Sequence, residues 1–157
     1  MSVDYIVSSL PQLSFSQPPP IGWDRFAEVC GDAMGRVDEI LGTRWRDLET
    51  ELRNAAAVSR GSERHRRAAR GCSLYWRSRV ASCFQEKDPM KRQALIDRTW
   101  WDAAGELADP ASPLGAGALA AYAVRLRLAI GRSRISRDDG MAAVDAAASA
   151  ATQEGAQ

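Results

Sequence analysis

Between Tyr5 and Phe15 the chain sets five large apolar residues, Tyr5, Val7, Leu10, Leu13 and Phe15, around Pro11, and a Pro18-Pro19-Pro20 triplet follows. Pro11 has a fixed φ and no N–H, so it ends any helix or central strand that runs through it. A stretch this apolar is nevertheless costly to leave in water. The two demands together predict a leader, residues 1–23, that is extended and packed along helices formed elsewhere. The prolines hold 18–20 extended, and because a residue before proline is pushed out of the helical region, Trp23 or Asp24 becomes the next helix start.

Beyond the leader the hydrophobic period is helical. Residues 24–41 carry Phe26, Val29, Ala33, Val37, Ile40 and Leu41 on one side. Gly42-Thr43 reads as a stop followed by an N-cap for a second helix to about Val58, with Trp45, Leu48 and Leu52 inward. Gly61-Ser62 repeats that punctuation and predicts a long helix over 62–84. Asp88-Pro89 reads as a cap with proline in the first turn, opening a helix to about Ala108. After the break at 109–113, residues 114–133 present Leu119, Tyr122, Leu126 and Ile130 at helical spacing, and the Gly and Ala at 115–121 permit close approach of a neighbour. Asp138-Asp139 opens a last Ala-rich helix to about Thr152. The expectation is all-α: one bundle of about six helices over 24–152, the packed leader before it, and a disordered tail at 153–157.

Charge is unevenly spread although the formal net is only +1. Residues 60–79 hold seven arginines against Glu63 alone, while 24–51 hold eight acids against four arginines. On a helix begun early, Arg60, Arg64 and Arg67 share one face and Arg66 and Arg70 the adjacent one, which gives a broad cationic surface. Such a surface suits an acidic protein or a phosphate-bearing partner; mutual neutralisation within the bundle is the plainer reading. Among the tryptophans, Trp100 and Trp101 diverge by about 100° on a helix, so one is expected in the core and one partly exposed, and Trp101 joins the arginines as a candidate partner contact. Asp97 and Asp102 read as surface partners of Arg98 and Arg92.

The residues offer little chemistry. His65 is the one histidine, and its arginine neighbours disfavour its protonation. There is no Gly-rich phosphate loop, metal-ligand pair or nucleophile elbow in the sequence. Cys30, Cys72 and Cys83 lack the spacing of a zinc site or a disulfide framework and read as buried thiols of a reducing compartment. The expectation is a protein without catalytic, cofactor or metal residues. The first residues do not read as a signal peptide, and Arg125 and Arg127 interrupt the longest apolar run, so a cytoplasmic location is expected.

The pattern Ser9-Leu10-Pro11-x-Leu13-x-Phe15, the prolines behind it and Phe26 resemble a short bacterial family of unknown function encoded beside V/A-type ATPase subunits. Asp88-Pro89, Asp97, Trp100 and the run Leu119–Leu128 are similar to that family and to its larger relative, the helical V-type ATPase component that seats the central stalk on the rotor ring. The resemblance implies an accessory or structural subunit, or an assembly factor, docking to stalk or rotor-ring subunits and peripheral to the membrane through that complex. An arginine-rich helical module that binds nucleic acid or another phosphate-bearing partner is the alternative.

Overall fold

The computed structural model describes residues 1–68, 71 and 73–134. Among them the fold is all-α, with five helical segments and no strand. The helix expected at 138–152 and the tail at 153–157 lie outside the described residues.

The leader is not extended throughout. Its first part is a helix, α1 (Val3–Ser9), which ends at Leu10, where ψ is 139° and Pro11 follows. Val3, Ile6, Val7 and Leu10 stand at i, i+3, i+4 and i+7, the spacing of an amphipathic helix. Ile6 is 1 % exposed whereas Tyr5 is 62 % exposed. Leu10 and Leu13 lie against the core as the leader runs on.

From Trp23 to Ser59 helical turns follow one another for 37 residues without a loop. They comprise α2 (Trp23–Cys30), α3 (Met34–Ile40) and α4 (Arg46–Ser59), joined by a 3-10 turn at Gly31–Ala33 and a wider π turn at Leu41–Trp45. The expected stop at Gly42-Thr43 is absent. The Thr43 hydroxyl donates to the Glu39 carbonyl, 2.7 Å, so it bonds back into the preceding turn and caps nothing ahead of it. The positive φ comes instead at Gly31, 48°, where α2 ends and the 3-10 turn begins.

α4 ends in a left-handed turn at Gly61, φ 70°, where the Ser62 N–H reaches the Ala57 carbonyl at 2.9 Å. The long helix expected from Ser62 does not form. A short 3-10 turn at Glu63–His65 and non-helical backbone through Ala68 precede α5 (Leu74–Cys83), capped by Ser73, whose hydroxyl accepts from the Trp76 N–H. A helix begun at Ser62 would set its arginines against the positive end of its own dipole. Beginning at Leu74 avoids that cost.

α6 (Pro89–Ala103) starts where its sequence predicts. The Asp88 carboxylate accepts from the Met90 and Lys91 N–H groups at 2.8 and 3.2 Å. Those two bonds hold its pKa below the ordinary carboxylate value. Its inward residues are Ile96, Thr99, Trp101 and Ala103, while Leu95 is 45 % exposed. A 3-10 turn, Ala104–Leu107, extends it.

α7 (Ala116–Ser133) packs against α1, α2, α3, α6 and the Ala104–Leu107 turn, with Leu119, Ala120, Ala123 and Leu126 fully buried along it. The glycine at 117 makes this possible, because a Cβ there would overlap the Leu107 carbonyl oxygen. Phe26, Val37, Leu52 and Val80 bring α2, α3, α4 and α5 into the same core. Each side chain of this kind contributes about 1.5–3 kcal/mol on burial.

Candidate functional site

The arginine cluster sits on a turn, not on a helical face. Arg60 is the last residue of the α4 path, and Arg64, Arg66 and Arg67 follow on the segment beyond Gly61; all four are exposed. Arg70 and Cys72 lie outside the described residues. The segment is pinned to α4 by one side chain. Asn54 donates from Nδ2 to the Arg67 carbonyl at 2.7 Å and accepts at Oδ1 from the Arg67 N–H at 2.8 Å. An amide side chain thus pairs with a backbone peptide as another peptide would, and fixes where Arg67 stands. Nearby, buried Glu51 accepts from the Ser73 N–H and ties the start of α5 to α4.

A cleft of about 500 Å³ opens between α4, this segment and α6. Arg53, Arg60, His65 and Arg67 line its basic side, and Trp100, with Ile96 and Leu128, lines the apolar side. Two carboxylates also reach it, and both have partners. Glu49 pairs with Arg53 at 2.9 Å, and Asp97 accepts from Gln93 Nε2 at 2.7 Å. Arg60 lies over the Phe84 ring, 5.3 Å from its centroid.

Trp101 does not stand at this surface. It is 7 % exposed, with Phe15 edge-on at 5.6 Å between centroids and the Arg125 guanidinium 5.6 Å from its ring. Arg125 Nε also donates to the Trp101 carbonyl at 3.1 Å, and burial draws the guanidinium below its ordinary pKa. The more open member of the pair is Trp100.

A second group of cations surrounds the leader. Phe15 has Arg132 at 3.7 Å and Arg98 at 5.2 Å from its ring centroid. Arg98 also pairs with Asp102 at 3.1 Å, and Arg79 reaches the other oxygen of the same carboxylate. Asp102 is therefore a partner of Arg98, as its spacing suggests, while Asp97 bonds Gln93 and not Arg92. Sequence reading missed Asn54 and Arg79. A mid-helix asparagine, weak as a helix former because its amide competes for backbone bonds, was the available signal for the first.

No family model, curated protein or solved structure matches this chain. Among the described residues no group of three or more His, Cys, Asp or Glu is placed to hold a metal ion, and no helix is long and apolar enough to cross a membrane. Cys30 and Cys83 are buried free thiols. What the described surface offers is contact and charge: an exposed arginine turn, and a cleft with cations on one wall and an indole on the other.

Proposed function

We propose that this chain is a non-catalytic accessory or structural subunit, or an assembly factor, of a V/A-type rotary ATPase, and that it works by docking on stalk or ring subunits. The observation that carries the reading is the meeting of the two sequence patches on which the resemblance rests. Tyr122, from the Leu119–Leu128 run, donates its hydroxyl to the Pro11 carbonyl at 3.0 Å and stacks on Phe26, 5.6 Å between centroids. Residues far apart in the chain, from the two patches that carry the resemblance, are thus joined in one structural unit, and that contact is what supports the reading.

The docking element is the turn beyond α4. Arg64 and Arg66 are exposed on it and would meet an acidic surface, with attraction that weakens as salt rises. The test is co-expression of the tagged chain with V/A-type ATPase stalk and ring subunits of its own host, followed by purification under nuclease. The expected result is a stoichiometric complex with one of those subunits that Arg64→Glu/Arg66→Glu disrupts. Recovery of none of them, or of nucleic acid alone in the untreated sample, overturns the reading; the latter favours the nucleic-acid alternative.

A further inference from the structure

We propose that the cleft between α4, the arginine turn and α6 binds a nucleoside phosphate, with Arg60 and Arg67 taking the phosphate and Trp100 the base. This site is independent of the docking reading, which uses Arg64 and Arg66.

The volume comes first. At about 500 Å³ the cleft falls within the size range of small-molecule sites. Its charge arrangement then selects the ligand. The carboxylates in the lining are committed, Glu49 to Arg53 and Asp97 to Gln93, whereas Arg60 and Arg67 form no salt bridge among the described residues. Arg60, whose guanidinium also lies over the Phe84 ring, and Arg67 both belong to the lining and carry the fork-shaped donors that phosphate oxygens accept. The opposite wall is an indole on an apolar floor of Ile96 and Leu128, suited to a planar ring, since base-on-aromatic stacking tolerates any base.

Position matters as much as composition. Non-helical backbone would ordinarily let Arg67 wander, but the paired bonds to Asn54 fix its peptide against α4, so less order has to be imposed on binding. Glu49 and Asp97 each keep carboxylate lone pairs beyond the one bond named above. As acceptors they suit the hydroxyls of a sugar or the amino group of a base.

The test is equilibrium dialysis of the full chain at low salt against ADP, GDP, UDP and CDP, with adenosine and inorganic phosphate as single-part probes. At least one diphosphate is expected to saturate a single site, with adenosine and phosphate each about tenfold weaker or more. Arg60→Gln/Arg67→Gln should weaken it by about tenfold or more and Trp100→Leu by about fivefold, while Arg36→Gln on exposed α3 leaves it unchanged. If none of the four binds, if the arginine double variant binds as wild type does, or if only polyglutamate or single-stranded DNA binds, the proposal is wrong. Should the double variant lose its native melt, the wild-type chain decides: its Tm must rise with the bound diphosphate, and no rise overturns the proposal. Loss of nucleotide binding with capture of ATPase subunits intact, or the reverse, tells this site from the docking turn.

Discussion

The Tyr122 hydroxyl donates a hydrogen bond to the Pro11 carbonyl oxygen at 3.0 Å, joining residues 111 positions apart. Pro11 ends the leader helix, so its carbonyl is held by no helical bond of its own and Tyr122 supplies the donor. The same ring stacks on Phe26, which in turn touches Trp23 at 5.2 Å between centroids. One side chain of α7 thus fastens both the leader and α2.

Tyr122→Phe keeps the stack and removes the hydrogen bond. The expected cost is about 1 kcal/mol. For a domain of this size that lowers Tm by about 2–4 °C. A thermal melt of the variant at neutral pH reads it directly, and an unchanged Tm would mean that the bond contributes nothing net.

The two glycines of α7 should respond oppositely to alanine. At Gly117 the new Cβ meets the Leu107 carbonyl carbon and oxygen, backbone atoms that cannot swing away, so destabilisation of about 1–3 kcal/mol is expected. At Gly131 nothing lies within 4 Å, and the substitution should stabilise by about 0.5–1 kcal/mol through helix propensity. Urea unfolding of both variants gives the two signs; equal effects would show that the close approach at Gly117 is not what limits packing.

Much of the core was legible because it follows a single period. Leu119 and Leu126 on α7, Leu52 on α4 and Val37 on α3 are all at 0 % exposure, as their spacing predicts. The Gly and Ala run at 115–121 foretold a close approach and Gly117 makes one. What failed was punctuation. Glycine marks a stop only where the chain takes positive φ, as Gly31 and Gly61 do, and Gly42 does not. The arginine cluster looks helical in sequence because its neighbours are helical; its own electrostatics, and the clamp from Asn54, hold it out of a helix. The cleft was not legible at all, since it joins α4 to α6 and to Leu128 of α7 through packing that no local pattern encodes.

The leader offers a paired test of its helical stripe. Ile6→Ala removes a fully buried side chain and should cost about 2–4 kcal/mol. Tyr5→Ala, one position away and 62 % exposed, should stay within about 0.5 kcal/mol. Similar losses at both positions would contradict α1, and no loss at either would show a leader detached from the core.

Asn54→Ala should loosen the arginine turn without disturbing the core. Both of its bonds to Arg67 are exposed, so the stability loss is expected at about 1 kcal/mol or less, water replacing the amide. Hydrogen exchange at the Arg67 amide is the sharper readout: it should quicken in Asn54→Ala, and stay slow in Asn54→Asp, which keeps the acceptor. Equal exchange in all three proteins would dismiss the clamp.

Stability should fall on the alkaline side in two stages. Burial pushes the Cys30 thiol from 9.0 to about 11, and burial followed by the neighbouring Cys30 charge pushes the Tyr122 phenol from 10.0 to about 12. For either group the unfolded chain gives up its proton first, so across this window the unfolded state binds fewer protons than the native one. The unfolding free energy therefore declines as pH rises. The contribution is whole below pH 9 and is lost by about pH 12. Denaturant midpoints measured from pH 8 upward should decline, and Cys30→Ala should remove the earlier part of the decline while Tyr122→Phe removes the later. The same burial makes Cys30 slow to alkylate in the native state, so iodoacetamide at pH 8 should label it only after unfolding. Rapid native-state labelling, or parallel pH curves for wild type and Cys30→Ala, would place that thiol outside the core.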